Sequence, residues 1–317
     1  MAPADEIDAS GVKTYPFASR TSLVQLSDFP RPSGDPAALL PFLESLPRVL
    51  GGRDLLALAA AFAAARKGGR GVVFGLGGHV AKTGAAQHLI PLLAEGFITH
   101  LACNGSFLIH DYELGRFGAT SEDVAANLPT GRFGLVEETG AELNALAREA
   151  TAADKPVARL AGEAIRARGE HADGSVLAAA AAAGVGATVH VTLGADIIHQ
   201  HPACDGAAWG AAGLADFRRL AQALTTLQDG GVFVNLGSAV VIPEVFVKAL
   251  NLARAAGNTV EGFMTANLDM IQHYRPRQNV LARPTLGAGG RAIALTGQHE
   301  ILVPLLSAAA RAYGQRA

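Results

Sequence analysis

The sequence predicts an α/β protein in which helices cover both faces of a mostly parallel sheet. Short runs rich in β-branched residues recur along the chain, and stretches with helical spacing of apolar residues separate them. Half of the 317 residues are hydrophobic and only 17% are charged, so the chain can bury a large core. The alternation of strand and helix is typical of a parallel sheet.

Six runs have the composition of strands that are buried on both faces. They lie at 71–76, 98–103, 187–193, 231–236, 259–265 and 291–296. Helices are expected around 54–66, 81–94, 121–128, 139–152, 156–168, 214–227, 243–255 and 300–312. We expect one α/β domain over residues 1–317, with residues 1–50 wrapping its surface and the charged, Ala-rich stretch 137–175 forming a helical insertion.

Charge and composition favour a small molecule as the ligand. The formal net charge is −2 without a basic block, which disfavours nucleic acid and anionic membrane surfaces. The longest apolar stretch, 176–189, is short for a membrane span. Two cysteines cannot form a disulfide framework, and the acidic start does not resemble a secretory signal, so a cytoplasmic location is expected.

In a parallel sheet, ligands bind beyond the carboxyl ends of the strands, so the turns there are the candidate sites. After the first strand, Gly77 and Gly78 would let the backbone approach a phosphate, and His79 and Lys82 could reach the same ligand. The spacing matches neither the dinucleotide fingerprint nor the phosphate loop. A tight turn beside a packed helix is therefore an equal alternative.

After the second strand, an imidazole and two carboxylates occur within four residues. His110, Asp111 and Glu113 could serve acid–base chemistry or bind a ribose. The alternative is structural: Asn104 and Gly105 make a turn, and His110 with Asp111 caps a helix.

A third segment predicts a metal site as a second hypothesis. His199, His201 and Cys204, with His190 upstream, are residue types that bind metals. No HExxH motif or CxxC pair accompanies them, so an ordinary turn that contains Asp205 is the stronger interpretation.

Two further turns complete the predicted edge. Gly237 and Ser238 form a second turn suited to close approach of a ligand. Asp269 could accept hydrogen bonds from ribose hydroxyls, and the basic residues after it could bind an anion. An exposed loop is the plain alternative for this last segment.

The segments that carry these turns are VVFGLGGHVAKTG with ITHLACNGSFLIHD, PACDGAAWG, GVFVNLGSAVV, FMTANLD and ALTGQHEILVPLL. In this order, over residues 70–313, they resemble the deoxyhypusine synthase family, whose members bind NAD and transfer an aminobutyl group from spermidine to a protein lysine. The resemblance implies a Rossmann-like NAD-binding fold and a homotetramer with active sites at its interfaces. The NAD contacts that it implies are Gly75, Gly77, Gly78, His79, Lys82, Cys103, Asn104, Gly105, Gly237, Ser238, Thr265, Ala266, Asp269, Gln298 and His299.

The sequence departs from this family at the residues that carry its reaction. The family's catalytic lysine has no counterpart in residues 279–284, and its K-H-H run is replaced by Ile242, Pro243 and Glu244. A lysine amine is the group that forms an imine with the transferred fragment, so deoxyhypusine synthesis is not expected. Lys82 could be a relocated imine former, a phosphate contact or a solvated residue.

We therefore expect a NAD-binding transferase or oxidoreductase that acts on a small amine, amino acid or alcohol, and that forms a homo-oligomer. Its predicted catalytic residues are Lys82, His110, Asp111, Glu113 and Asp205. A metal-dependent hydrolase or lyase is the second hypothesis, and a non-catalytic nucleotide or metabolite sensor is the third.

Overall fold

A computed structural model describes residues 7–29, 31–32, 34–168, 170–286 and 289–316. The strands are β1 (Ser22–Gln25), β2 (Val72–Leu76), β3 (His100–Asn104), β4 (Ala119–Glu122), β5 (Gly186–His190), β6 (Val232–Leu236), β7 (Met264–Asp269) and β8 (Arg291–Thr296). The helices are α1 (Leu40–Ser45), α2 (Leu50–Lys67), α3 (Gly78–Lys82), α4 (Leu89–Ala94), α5 (Gly105–Phe117), α6 (Val124–Asn127), α7 (Glu137–Ala153), α8 (Val157–Arg168), α9 (Val176–Ala183), α10 (Gly206–Leu224), α11 (Val241–Ala255), α12 (Tyr274–Pro276) and α13 (His299–Arg316).

Six strands form one sheet in the order β5-β3-β2-β6-β7-β8, and every neighbouring pair is parallel. The chain builds outward from β2 in one direction and then returns to build from β6 in the other. This is the doubly wound strand order, in which a crevice opens where the direction reverses. In this protein the crevice lies between the carboxyl ends of β2 and β6.

Both faces of β2 are buried, which explains its uninterrupted apolar sequence. Phe74 packs on one face against Phe62 of α2, with ring centroids 5.6 Å apart. Val73 packs on the other face in a cluster that contains Phe233 of β6 and Phe246 of α11, whose rings stack at 3.6 Å. Helices thus cover both faces, and the predicted fold class is confirmed.

The N-terminal segment runs over the surface and contacts α5, β4 and the start of α7. Strand β1 pairs antiparallel with β4, and Tyr15 forms an isolated bridge with Val136. Residues 1–6 of the predicted wrapping segment lie outside the described residues. The stretch 137–175 holds α7 and α8 and no strand among its described residues. That the chain forms one domain with an insertion stays a prediction.

Several elements differ from the sequence prediction. The prediction contains no element at α5, α9 or β1, and the helix expected at 121–128 begins inside β4 and is an α-helix only over Val124–Asn127. The fifth strand of the sheet is Met264–Asp269 rather than 259–265, because the buried amide of Asn267 is paired: it receives a hydrogen bond from Asn235 and donates to Gln272. The helix expected at 81–94 is broken at Gly84, whose φ of 72° is left-handed. Among the described helices, none is long and apolar enough to cross a membrane.

Candidate functional site

Glycines bring two turns into contact at the crevice. A Cβ atom on Gly77, after β2, would collide with the carbonyl oxygen of Gly237, after β6. Gly237 itself has a φ of 67°. The backbone N–H groups of Gly78, His79 and Ser238 donate to no acceptor among the described residues. They can therefore donate to a ligand in the crevice.

Two histidines flank the same crevice. The rings of His79 and His299 meet edge to face, with centroids 5.3 Å apart. His299 lies 3.1 Å from the carbonyl oxygen of Leu268, so its Nε2 carries the proton and its Nδ1 is an acceptor. That Nδ1 atom is buried and has no hydrogen-bond partner in the described structure. Partial burial and the neighbouring His299 lower the pKa of His79.

A cavity of about 190 Å³ lies beside the crevice, beyond the ends of β2, β3 and β5. Gly78, at the crevice, packs directly against two residues of the cavity wall: an added Cβ would collide with Ser106 and would lie 3.2 Å from Cδ2 of His110. The polar and charged residues that line the cavity are Arg20, Lys82, Ser106, His110, Glu113, Ser121, Glu122 and Asp196.

Four side chains on one wall form a continuous hydrogen-bonded chain. His110 Nδ1 lies 2.8 Å from Thr120 Oγ1, and Thr120 lies 2.6 Å from Oε2 of Glu113. Arg20 donates to both carboxylate oxygens of Glu113, and Thr139 donates to Oε1. Each carboxylate oxygen of Glu113 therefore accepts two hydrogen bonds, which offset the free-energy cost of burying the charge.

His110 is neutral in this environment. Burial, together with the positive charges of Lys82 and Arg20, lowers the pKa of His110 to about 3. Its Nε2 atom has no hydrogen-bond partner among the described residues, although the ring lines the cavity. An anion bound beside Lys82 would counteract one of these effects and raise the affinity of the imidazole for a proton.

Lys82 and Asp196 carry opposite charges on the cavity wall, and neither forms an ion pair within the part of the chain that the structure describes. His199 is close enough to Asp196 to favour the charged carboxylate. Asp196 accepts a hydrogen bond from the Thr192 backbone at 2.9 Å and packs directly against Gly105, where a Cβ would collide with its carboxylate. Burial raises the pKa of Asp196 above its usual value.

Backbone strain is present in the same wall. Ser121 adopts a φ of 65°, a conformation that non-glycine residues seldom adopt. Its neighbour Glu122 accepts hydrogen bonds from Tyr15, Asn127 and the backbone N–H of Gly134. Strain of this kind costs about 1–3 kcal/mol and concentrates at functional sites.

The structure brings many of the sequence-predicted residues together. Lys82, His110 and Glu113 meet in the cavity, and Gly77, Gly78, His79, Gly237, Ser238 and His299 meet at the crevice. Asp269 ends β7, with Oδ1 receiving the backbone N–H of Met270, and exposed Gln298 precedes α13, so both also lie at the carboxyl edge. Asn104 caps α5 by accepting from the Phe107 backbone, and Gly105 supports Asp196.

Other predicted residues lie apart from both spaces. Asp111 points to the start of α9, where it accepts from Ser175 Oγ and from the backbones of Val176 and Leu177, and burial raises its pKa to about 6. Asp205 caps α10 by accepting from the Ala207 and Ala208 backbones. Both carboxylates are thus engaged in holding helix N-termini.

Four predicted cofactor contacts lie inside strands. Gly75 packs against Ile242 of α11, and Cys103 is fully buried within β3, where burial raises the pKa of its thiol. Thr265 and Ala266 were expected at a strand end, but β7 continues to Asp269 and leaves both with no exposed surface. A ligand at the sheet edge cannot reach these four positions.

The metal hypothesis gains no geometric support. Within the described ranges, no group of three or more His, Cys, Asp or Glu side chains could hold a metal ion. His199 packs edge to face against Trp209, and His201 Nδ1 accepts from the Ala203 backbone. Cys204 is a free, partly buried thiol.

Sequence reasoning missed Thr120, which is bonded to His110, and five polar residues that line the cavity: Arg20, Ser106, Ser121, Glu122 and Asp196. Ser106 and Asp196 follow β3 and β5, so the rule that ligands bind at carboxyl ends could have found them. Arg20 precedes β1 and Thr120 lies in β4, and the position of this strand pair beside the cavity carries no signal in the sequence.

Comparison with known proteins supports the fold. No protein-family model matches the chain, and no curated protein matches it. The solved ternary complex of AgrE with ornithine and NAD+ aligns with a TM-score of 0.51 and 14% identity over 82% of this chain and 33% of that chain. A conserved putative LOR/SDH protein from Methanococcus maripaludis S2 aligns with a TM-score of 0.51 and 13% identity over 93% of this chain and 73% of that chain.

At 13% and 14% sequence identity, the similarity to these structures shows the fold alone. The chain spans about a third of the length of the first solved structures that it matches. A putative deoxyhypusine synthase from Entamoeba histolytica aligns with a TM-score of 0.44 and 9% identity over 81% of this chain and 86% of that chain. Membership in that family stays a prediction.

Proposed function

We propose that this chain is an enzyme that binds NAD in the crevice and acts on a small, amino acid-like substrate in the adjoining cavity. The observation that carries the proposal is the close packing of Gly78, at the crevice, against Ser106 and His110, which line the cavity. A nicotinamide cofactor must lie next to its substrate to act on it, and only this layer of residues separates the two places.

The residues at the crevice fit a dinucleotide. Three unpaired backbone N–H groups, at Gly78, His79 and Ser238, offer donors to a pyrophosphate, and Gly77 and Gly237 leave their turns without side chains. The carboxylate of Asp269 and the buried, unpartnered Nδ1 of His299 offer acceptors for hydroxyl groups. NAD is also the cofactor named in the AgrE complex, whose fold aligns with this one.

The cavity fits a molecule that carries both charges. Lys82 can bind a carboxylate and Asp196 can bind an ammonium group, since neither has an ion-pair partner among the described residues. The AgrE complex contains ornithine, which is an amino acid. An amino acid or a related amine therefore agrees better with the cavity than an uncharged alcohol.

The roles of the chain's own residues follow from these contacts. Lys82 and Asp196 would orient the substrate, and His110 would take a proton from it at Nε2. Neutralisation of Lys82 by a substrate carboxylate would favour that proton transfer, because Lys82 is one of the charges that hold the pKa of His110 low. The chemistry that a bound nicotinamide supplies is hydride exchange.

Deoxyhypusine synthesis is not proposed. Residues 279–284 contain no lysine, and Asn279 in that segment is bonded to Glu244 of α11. Lys248, the other lysine near the predicted turns, is paired with Glu244 as well. Identification of the product would distinguish an oxidoreductase from a transferase.

Purified protein should be denatured and its supernatant examined for NAD(H) by mass spectrometry. Melting temperatures with added NAD and NADP, followed by a screen of amino acids and amines for a change in NADH absorbance, would identify the reaction. H110Q should lower turnover by roughly 100-fold or more while NAD affinity is retained. H171Q is the matched control, because His171 lies beside Gly118 and does not line the cavity. Cofactor binding with full turnover in H110Q would contradict the catalytic role and favour the sensor hypothesis if no substrate is found.

A homo-oligomer and a cytoplasmic location remain proposals. Large apolar side chains are exposed on the segments that follow β6, β7 and β8, and such side chains are common at interfaces when they form one patch. They are Val240, Met270, Ile271, Tyr274 and Ile301. Light scattering coupled to size-exclusion chromatography measures the mass directly, and a mass of 32.5 kDa would contradict an oligomer.

A further inference from the structure

We infer that Thr120 is a positioning residue that fixes the tautomer of His110, so that the unprotonated Nε2 is the atom presented to the cavity. The inference rests on the proposed function, in which His110 accepts a proton from the substrate. It concerns a residue of β4 that lies outside the turns at the carboxyl edge of the large sheet.

The direction of the hydrogen bonds follows from what each group can donate. The Glu113 carboxylate is paired at two points with Arg20 and can only accept. The single hydroxyl proton of Thr120 must therefore go to Oε2 of Glu113, at 2.6 Å. The Thr120 oxygen then has only lone pairs for His110.

Because that oxygen can only accept, Nδ1 of His110 must be the donor at 2.8 Å. In a neutral imidazole one ring nitrogen carries the hydrogen and the other is an acceptor. Nε2 is thus the acceptor, and it has no competing partner among the described residues. The hydrogen-bonded chain from Arg20 through Glu113 and Thr120 ends at this lone pair.

The charges that face His110 oppose a second proton until a ligand binds. Lys82 and Arg20 are the two cations near it, and the charge of Arg20 is matched by Glu113. When the substrate proton moves to Nε2, the substrate X–H bond breaks and an Nε2–H bond forms, which gives an imidazolium. Thr120 can hold that cation in place without changing its own hydrogen bonds.

The backbone of Thr120 is held firmly enough for this task. Thr120 has no exposed surface and pairs with Val24 of β1 in the antiparallel β1–β4 pair. The next residue, Ser121, is the left-handed one. This turn of the backbone allows Ser121 and Glu122 to line the cavity together, next to the buried Thr120.

The test compares T120V, which removes the hydroxyl but keeps the shape, with T120S, which keeps the hydroxyl. T151V is the matched control, since Thr151 lies twelve residues, or about 18 Å, beyond Thr139 on α7 and donates only to backbone carbonyls. Nitrogen-15 NMR of histidine-labelled protein reports the tautomer, and the H110Q spectrum assigns the signal of His110.

We expect His110 of the unaltered protein to be an Nδ1–H tautomer, and T120V to lose this uniform state. Turnover of T120V should fall roughly 10-fold or more with a KM changed less than about 3-fold, and T120S should restore most of the loss. An Nε2–H tautomer in the unaltered protein overturns the inference even if T120V does not fold. T120V protein that keeps both the uniform Nδ1–H tautomer and the turnover of the unaltered protein also overturns the inference. An Nδ1–H tautomer together with full turnover in H110Q would instead leave the hydrogen-bond assignment standing and refute the proposed role of His110.

Discussion

Arg20 and Glu113 are 93 residues apart in the sequence and form a two-point ion pair, with Nη1–Oε1 at 2.7 Å and Nη2–Oε2 at 2.9 Å. Their side chains are 1% and 2% exposed. The pair joins the N-terminal segment to α5 and anchors the chain of hydrogen bonds that ends at His110. One contact thus links folding of the N-terminal segment to the chemistry of the cavity.

Replacing Arg20 should therefore destabilise the whole protein. R20M leaves the buried carboxylate of Glu113 without its counter-charge, and the free energy of unfolding should fall by about 3–5 kcal/mol. R159M removes the exposed pair with Glu163 and should cost less than about 1 kcal/mol. Urea unfolding followed by the fluorescence of the single tryptophan, Trp209, measures both. Equal losses in the two variants would contradict the importance of the buried pair.

Stability should also depend on the protonation of His190 below neutral pH. Burial, with His100 nearby, lowers the pKa of His190 to about 3 in the folded protein, whereas an unfolded chain has a value near 6.5. The unfolded state therefore binds the proton first, so stability that is present above pH 6.5 is lost as the pH falls toward 3.

The stability advantage of the unaltered protein over H190Q should accordingly shrink by up to about 1.4 kcal/mol for each pH unit below 6.5. Urea unfolding from pH 7.5 to 4.5 measures this difference, and H273Q, at an exposed position, serves as the control. A difference that stays constant with pH would mean that His190 titrates normally in the folded state.

The contact between the two crevice turns should not tolerate a side chain. G77A drives a methyl group into the Gly237 carbonyl, so we expect a loss of about 1–3 kcal/mol in stability and weaker NAD binding. Gly210 in α10 has no atom within 4 Å of an added Cβ, and G210A should stabilise the protein by about 0.5–1 kcal/mol. Calorimetric titration with NAD and thermal unfolding provide the two measurements. Unchanged NAD affinity in folded G77A protein would place the dinucleotide elsewhere.

Lys82 should act on the substrate rather than on the cofactor. K82M removes the cation proposed to bind a substrate carboxylate, which should raise KM by roughly 10- to 100-fold while NAD affinity changes little. K155M, at an exposed position on the surface, is the matched control. Steady-state kinetics with the substrate identified in the screen measures the KM of K82M and of K155M. A loss of NAD affinity without a rise in KM would assign Lys82 to the cofactor.

Periodicity and composition were sufficient to predict the architecture. Parallel strands that are buried on both faces leave long apolar runs, and five of the six predicted runs overlap their strands closely. The exception, β7, shows the limit of this reasoning. Asn267 resembles a loop residue, yet it is buried in mid-strand because Asn235 and Gln272 satisfy its amide.

The candidate site was predictable only in part, for a similar reason. His110, Asp111 and Glu113 all follow a strand, so the sequence predicts all three as site residues. Only the fold shows that Asp111 faces α9 rather than the cavity. Adjacent helical residues point about 100° apart, so proximity in the sequence does not place side chains in one cavity. Arg20 and Thr120 approach the cavity through long-range pairing, which no local pattern records.

The crossing of the N-terminal segment has a consequence for biosynthesis. Arg20 leaves the ribosome long before its partner Glu113, and the bridge from Tyr15 must wait for Val136. Tyr15 and Arg20 are thus made well before the residues that fix them, and for that interval an arginine that is buried in the folded protein stays in water. Completion of the cavity therefore waits for Glu113 and Val136, whereas β2 and β3 of the parallel sheet are already available to pair before those residues are made.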